Sequence, residues 1–546
     1  MPTRAGNITR LYPRAMIPRI IHQTWRDAHY SSENGSPESW RENNPGWEYR
    51  LWTDDELEWF VSDTFPRFAE LYHAYPNPVQ RADLARYMLL KTFGGVYADM
   101  DTDCLAPLDP IADEDRVVVC EEPRDHWQPS QVRGMSLQLF NGTFASPQGH
   151  PLWDDVLERA WRMRMAISKD VLDSTGPLVF AAAVAGFAKP DEISVNSCHL
   201  FSPNGKDGKP ASDVRHGDYG HLGLSRHNWA GSWFSDYRAK PFNNFKGRFR
   251  KRRAQRDARR YPSPEDQLAK IDRERALRPL PAYRDDAPPS VAIFVPVRNA
   301  AHAVRLLMQQ VARIDYPRDR LRVVFGEGPS TDASAAILQR LKERHEGDFA
   351  GFDVLTFDGP DRRSSGSRWL PSEQLVRRAA IAKARNRLLR EGLRDTDERV
   401  LWIDADVCEF SPGILRRLLC EDEKIVTPNC VLEWNAHSFD LNAFLQTAEV
   451  VEVIRYKHYK HGLMQPPPND YTRRHLHELR YLERIPLTGV GGTMLLVDAE
   501  LHRAGLVFPE TPYRELIETE AFGVMANDLG IVPIGLPNVE IRHVSA

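Results

Sequence analysis

Two apolar runs in this chain each stop at an Asp-x-Asp, and no other feature limits its folds so sharply. Gly94-Gly95-Val96-Tyr97-Ala98 runs into Asp99-Met100-Asp101, and Val400-Leu401-Trp402-Ile403 runs into Asp404-Ala405-Asp406. A short run with no polar residue reads as a strand buried in an α/β sheet, and such sheets gather ligands at the carboxyl ends of their strands. Two carboxylates one residue apart at that place suit a hard divalent cation and the diphosphate it neutralises. Two such strand ends in one chain predict two sites of one kind. Spacing alone does not single them out. Asp113-Glu114-Asp115 and Asp395-Thr396-Asp397 share the pattern but sit in polar surroundings and read as solvated loops. Turn and capping acids account for an isolated Asp-x-Asp equally well.

The length of 546 residues leaves room for roughly two to four domains. A net charge of −4 argues neither for nor against a nucleic-acid partner. No apolar stretch approaches the ~18 residues of a membrane span, and Met1-Pro2-Thr3-Arg4 opens no hydrophobic signal core. Six cysteines occur without a Cys-x-x-Cys, so zinc is not expected. The expected location is cytoplasmic, in a reducing compartment.

Three stretches follow from composition. Residues 1–240 begin with a strand-like run, Ile17 to Trp25. Pro76-Asn77-Pro78 then introduces a helix over Val79 to Phe93 that feeds the first acidic strand. Residues 241–288 read as a basic, Pro-containing linker. Lys246 to Arg260 holds nine Lys or Arg against one acid, Asp257, and prolines follow. Residues 289–546 restart with an apolar strand, Val291 to Val297. A helical stretch over His302 to Arg313 and a strand from Leu321 to Phe325 follow, which is the order of a parallel crossover.

Further candidates surround the two acidic ends. Arg81, Asp83 and Arg86 stand on the helix before the first, and Asp83 and Arg86, three apart, share a face. Arg86 suits a diphosphate because guanidinium binds phosphate bidentately, although a surface ion pair has the same spacing. Arg226-His227-Asn228-Trp229-Ala230-Gly231-Ser232-Trp233 closes the first stretch. In the second, Arg378, Lys383, Arg385 and Asn386 precede the acidic strand. Gly489-Val490-Gly491-Gly492-Thr493, Glu518-Thr519-Glu520 and the late His543 follow it. The glycine run permits close backbone approach to a ligand and also fits a tight turn.

Over roughly residues 15–235 these pieces strongly resemble the Asp-x-Asp sugar-binding transferases, glycosyltransferase family 32. The match lies in Ile17–Trp25, Arg81–Tyr87, Gly94–Asp101, Ser174-Thr175-Gly176-Pro177 and His227–Trp233. The resemblance implies Asp101 on a metal, Asp99 on ribose or sugar, and Asp83 and Arg86 on the donor sugar. His227 would be a metal ligand, and Trp25, Ser232 and Trp233 would line the nucleotide sugar. Asn228 departs from the pattern, standing where relatives often carry a second His. Over about residues 290–545 the chain looks like the yeast mannan polymerase subunits, glycosyltransferase family 62. That match lies in Ala382–Asn386, Trp402–Asp406, Gly491–Thr493, Glu518–Glu520 and Gly535–His543. It implies Asp404, Arg385 and Asn386 on the nucleotide sugar, Asp406 and His543 on a metal, and Glu518 or Glu520 towards the acceptor.

Both resemblances imply two GT-A-type, Rossmann-like α/β domains. They imply a metal-dependent, retaining transferase with two active sites, using Mn²⁺ or Mg²⁺ and GDP-mannose, that builds successive linkages on a glycan or lipid-linked glycan. Alternatives are UDP-galactose or UDP-GlcNAc as donor in one head, or one degenerate head serving as a scaffold. Nucleic acid is not an expected partner, since Lys246–Arg260 has no interleaved aromatic beyond Phe249. The same basic stretch is an expected peripheral contact with the inner membrane face.

Overall fold

The computed structural model describes residues 16–30, 36–167, 170–230, 245–358, 371–450, 452–466 and 471–544. The chain divides into two units, 1–235 and 236–546. Both are α/β with mixed sheets.

The first unit is built on six strands in the order Glu48–Thr53, Ile20–Trp25, Gly95–Ala98, Thr143–Ser146, Val117–Cys120, Ile193–Asn196. The first three run parallel, Thr143–Ser146 is antiparallel to both its neighbours, and the last pair is parallel again. The helix Pro78–Phe93 starts at Asn77, whose side chain accepts from the Val79 amide, and it ends at Gly94. Gly94 and Gly95 both take positive φ, +66° and +91°, and a Cβ on Gly95 would lie 2.4 Å from the Ile20 carbonyl. Only glycine fits this reversal, which turns the chain from helix into strand without a loop. The helix buries Asp83 and Arg86 together with Leu84, Ala85, Met88 and Leu89. Tyr87, Phe144, Trp153 and Phe180 stack over it with ring centroids 5.0–6.1 Å apart. That aromatic core fixes the helix against the central strands.

The second unit carries a larger sheet in the order Gly351–Thr356, Leu321–Glu327, Val291–Val297, Arg399–Ile403, Met494–Asp498, Ile425–Val431, Ile534–His543, Val407–Glu409. The first four strands are parallel, in the register Leu321↔Val291 and Arg399↔Val291. Met494–Asp498 is antiparallel to both its neighbours. Arg399–Ile403 is buried throughout, which accounts for its apolar run. At the far edge Val407 pairs with His543, so the end of the chain returns to the acidic turn.

The span read as a linker, 241–288, differs from that expectation. Its described part, from 245, belongs to the second unit. The helix Phe245–Ala258 buries Ala254, and Lys251 bonds Glu452 on the helix Glu452–His458 at 2.5 Å. Leu268, Ile271 and Ala276 are buried as well, and Arg275 pairs with Glu500 at 2.6 Å. The segment is polar only on its outer face, and a few apolar residues at helical intervals suffice to seat it. Among the described residues no helix is long and apolar enough to cross a membrane.

Candidate functional site

In the first unit the Gly95–Ala98 strand delivers Asp99 and Asp101 to its carboxyl end. The Asp99 amide donates to the Gly142 carbonyl at 2.7 Å, and the Asp99 carbonyl accepts from Gln23 Nε2 at 3.0 Å. The turn is therefore held by both neighbouring strands. Asp99 Oδ1 accepts from the Tyr97 hydroxyl at 2.8 Å and lies 3.1 Å from Arg86 Nη2. The same nitrogen is 3.1 Å from Asp83 Oδ1, so one buried guanidinium serves two carboxylates. Thr175 Oγ1 and Asn141 Nδ2 complete Asp83 at 3.1 and 3.3 Å, and Arg86 donates to the Asn141 carbonyl at 2.6 Å. Burial pushes the Asp83 carboxyl up to about 6, against the opposing Arg86 charge and with a further push from Asp99. Burial likewise raises Asp99.

Asp101 meets His227, which the short strand Ser225–His227 places opposite Thr102. Asp101 Oδ1 is 3.1 Å from His227 Nε2, and its other oxygen accepts from the Ala230 amide at 3.2 Å. Burial would raise the Asp101 carboxyl, but the His227 bond and charge outweigh it and hold it low. Trp229 and Phe140 stand edge-on to the His227 ring at 4.3 and 5.1 Å. Asp99, Asp101 and His227 each bring a ligand atom within 4.8 Å of the others. Two carboxylate oxygens and an imidazole nitrogen suit Mn²⁺ or Mg²⁺ better than a thiolate-seeking metal. Trp25 stands at the same sheet end, with its indole N–H buried and without a hydrogen-bond partner among the described residues. Ser232 and Trp233 lie outside the described residues.

In the second unit Asp404 follows its strand, and its amide donates to the Thr493 carbonyl at 3.0 Å. Arg385, from the helix Pro371–Gly392, reaches Asp404 Oδ1 at 2.7 Å, the Gly492 carbonyl at 3.1 Å and Glu518 at 3.2 Å. Glu520 sits between Arg378 and Arg473 at 2.5 and 3.3 Å. An alternating row of carboxylates and guanidiniums thus backs the acidic turn. Burial raises Asp404, with Arg385 opposing and Asp406 adding to the rise. Burial also works to raise Glu520, but its two arginines hold it low. Glu518 adopts a left-handed backbone, φ +59°. Asp406 Oδ1 lies 3.0 Å from His543 Nε2, and His543 Nδ1 bonds the Val544 carbonyl at 2.7 Å. Both ring nitrogens thus face an acceptor. Burial would lower the His543 imidazole, but the Asp406 bond and charge outweigh it and raise it. With a cation bound in place of that proton, Nε2 would be the ligating nitrogen. Asp406 and His543 form a pair, and among the described residues Asp404 makes no group of three with them. One carboxylate and one imidazole still suit a cation that takes its other ligands from a diphosphate.

Two readings shift in this unit. Asn386 gives its amide to the Phe508 carbonyl and to Glu510 and accepts from the Phe508 amide, which locks the helix to that loop. The glycine run approaches protein groups closely. A Cβ on Gly491 would lie 2.4 Å from the Asp440 carboxylate, and one on Gly492 would lie 2.5 Å from Arg385. Asn141, Gly142 and Arg473 were not legible as site residues. Asn141-Gly142 carries only a turn signal, and Arg473 stands in an unremarkable polar stretch.

Residues 31–118 match the family described as glycosyltransferase sugar-binding region containing DXD motif. Residues 282–512 match the Anp1 family. The N-terminal half therefore resembles the DXD sugar-binding family, and the C-terminal half the mannan polymerase subunits. Inositol phosphoceramide mannosyltransferase 3 of Schizosaccharomyces pombe is 32% identical over 189 residues, covering 32% of this chain and 48% of that protein. The chain thus spans about half the length of that relative. The mannan polymerase complex subunit mnn9 of the same yeast is 29% identical over 277 residues, covering 45% of this chain and 81% of that protein. Among solved structures, the mannosyltransferase PcManGT from Pyrobaculum calidifontis in complex with GDP-Man and Mn²⁺ is 16% identical. It covers 55% of this chain and 68% of that one, at a TM-score of 0.28.

Proposed function

We propose that this chain is a two-headed, metal-dependent hexosyltransferase. Each unit is a GT-A-type domain that transfers mannose from GDP-mannose to a glycan or lipid-linked glycan. The observation that carries the reading is the meeting of Asp99, Asp101 and His227 at a sheet end, beside the buried Asp83–Arg86 pair. The two family matches support glycosyl transfer at both ends of the sequence, and the mannosyltransferase names of the relatives support the sugar.

In the first unit Asp99, Asp101 and His227 would hold Mn²⁺ or Mg²⁺, and in the second Asp406 and His543. Such an ion, when bound, neutralises the departing diphosphate. Arg86 and Asp83 orient the donor hydroxyls in the first head. In the second, Arg385 sits where it can pass from Asp404 to a diphosphate oxygen. The acceptor hydroxyl attacks the anomeric carbon, the bond from that carbon to the phosphate oxygen breaks, and the hydroxyl proton goes to the same departing oxygen. Bond making on the face of bond breaking retains the configuration and needs no protein base. The protein contributes position and fixed charge. The exposed basic helix Phe245–Ala258 supports an acceptor presented at an anionic membrane, which liposome flotation tests.

The deciding experiment is nucleotide release by the purified chain. GDP release from GDP-mannose that needs Mn²⁺ and stops with chelator is expected. Release of UDP from UDP-sugars instead would move the donor. Absence of nucleotide binding by either unit would overturn the reading.

A further inference from the structure

We propose that Phe439 is the platform on which a pyranose ring of the acceptor saccharide stacks in the second unit. The proposal rests on the reading of residues 236–546 as a transferase and adds a residue that recognises the acceptor.

The segment around Phe439 is held on both flanks. The Phe439 amide donates to the Cys430 carbonyl at 2.7 Å. Ser438 Oγ donates to Asn429 Oδ1 at 2.7 Å and accepts from the His477 amide at 3.1 Å. Asp440 Oδ2 accepts from the Gly492 and Thr493 amides at 2.8 and 3.2 Å. Upstream, Arg480 donates to the Asn435 and Ala436 carbonyls at 3.1 and 2.7 Å. A backbone fixed this firmly could have turned its large side chains inward. It displays them: Trp434 is 42% exposed, Phe439 42% and Leu441 48%. Of these, Phe439 is the ring beside His543, and an aromatic ring held half-exposed on a fixed segment is available to a ligand.

Position identifies the occupant. The Phe439 ring centroid lies 4.2 Å from that of His543, whose Nε2 meets Asp406 at 3.0 Å. Nucleotides bind at the carboxyl ends of the parallel strands, here Val291–Val297, Leu321–Glu327 and Arg399–Ile403. Phe439 instead follows Ile425–Val431, which lies beyond the antiparallel strand Met494–Asp498 and pairs in parallel with Ile534–His543. It therefore borders the ion-binding end away from the base. Transfer requires the acceptor hydroxyl within about 3–3.5 Å of the anomeric carbon, so an acceptor ring must occupy this border. A pyranose offers an apolar C–H face to the negative π face of an aromatic ring and keeps its hydroxyls at the rim. An acyl chain would need a continuous apolar groove, whereas the ring here is neighboured by the charged pair His543 and Asp406.

The test uses the full chain carrying Asp101→Ala, which silences the first head, with Mn²⁺ and GDP-mannose. Methyl α-D-mannopyranoside and α-mannobiose serve as acceptor probes. Adding Phe439→Ala is expected to raise the KM for the saccharides about tenfold or more while the KM for GDP-mannose stays within about twofold. Phe439→Tyr, which keeps the ring, is expected to restore saccharide KM. An unchanged saccharide KM in Phe439→Ala overturns the proposal. So does a rise in GDP-mannose KM alone, which would put the ring under the base. Saturation by mannosyl-lipid micelles with no response to free saccharide also overturns it. Loss of GDP binding in the Asp101→Ala parent is a different failure, since it removes the transferase reading of this unit and the proposal with it.

Discussion

In the first unit Arg86 reaches across from a helix to Asp99 at the end of a strand, with 3.1 Å between guanidinium nitrogen and carboxylate oxygen. Arg86 is buried and Asp99 a quarter exposed, and the buried Asp83 shares the same nitrogen. Removing the cation leaves the buried Asp83 and the partly exposed Asp99 without a counter-charge. Arg86→Met is expected to destabilise the first unit by about 3–5 kcal/mol at pH 7. Arg86→Lys keeps the charge but cannot bridge both acids and the Asn141 carbonyl, so it recovers only part of the loss. Urea unfolding at pH 7 and pH 5 checks this. The Arg86→Met penalty shrinks at pH 5, where the Asp83 carboxyl, already pushed up to about 6, takes up a proton.

The second unit offers a steric test of its ion-pair row. A Cβ on Gly492 would lie 2.5 Å from Arg385 Nη2 and 3.1 Å from Thr519 Cγ2. Gly492→Ala must displace the guanidinium from Asp404, at a cost of about 1–3 kcal/mol. Stabilisation of this unit by GDP and Mn²⁺ should fall with it, as a thermal-shift titration would show. Wild-type stability and a full GDP response in the Gly492→Ala variant would mean that Arg385 is free to relocate.

Much of this was legible in the sequence, for a physical reason. The strands that carry Asp99 and Asp404 are buried on both faces, so composition alone marks them. The Asp83–Arg86 pairing follows from helical spacing, yet its burial does not, because the aromatic cover comes from Phe144, Trp153 and Phe180, remote in sequence. Long-range partners were the general loss. Asp397 read as a solvated acid, but it is buried against Arg322 at 2.5 Å. Asn141 and Arg473 reach their sites through strand order, which no local pattern encodes. The basic span 245–258 read as a connector because its few buried residues are outnumbered by charges on its outer face.

The two acidic ends differ in the ligands they gather, and metal titration should resolve them. The first unit offers Asp99, Asp101 and His227, and the second offers the pair Asp406 and His543. Mn²⁺ followed by electron paramagnetic resonance is expected to show two classes of site, the tighter in the first unit. Asp101→Ala should weaken the tighter class by at least about tenfold, since losing a ligand costs no less than losing an outer partner of one, and leave the weaker. Asp406→Ala should do the reverse. In transfer assays each variant should lose one linkage and keep the other. Loss of both linkages in either variant would mean that the heads do not act independently.

Acid should destabilise both units through one repeated device. His22 Nδ1 accepts from the Trp52 indole at 3.1 Å, and its Nε2 donates to the Gly94 carbonyl at 3.0 Å. His502 Nε2 accepts from the Trp402 indole at 3.1 Å, and its Nδ1 donates to the Leu506 carbonyl at 2.8 Å. A proton added to either ring would face an indole N–H and would be buried. Burial accordingly lowers both imidazoles from 6.5 to about 4. Between those values the unfolded chain binds more protons than the folded one, so stability is complete above pH 6.5 and is lost as pH falls towards 4. Each histidine contributes about 3 kcal/mol over that window. His22→Gln should lower the stability of the first unit at pH 7 and flatten its decline between pH 6.5 and 4, and His502→Gln should do the same in the second. Urea unfolding across that range checks both, and an undiminished acid slope in either variant would assign the loss to other groups.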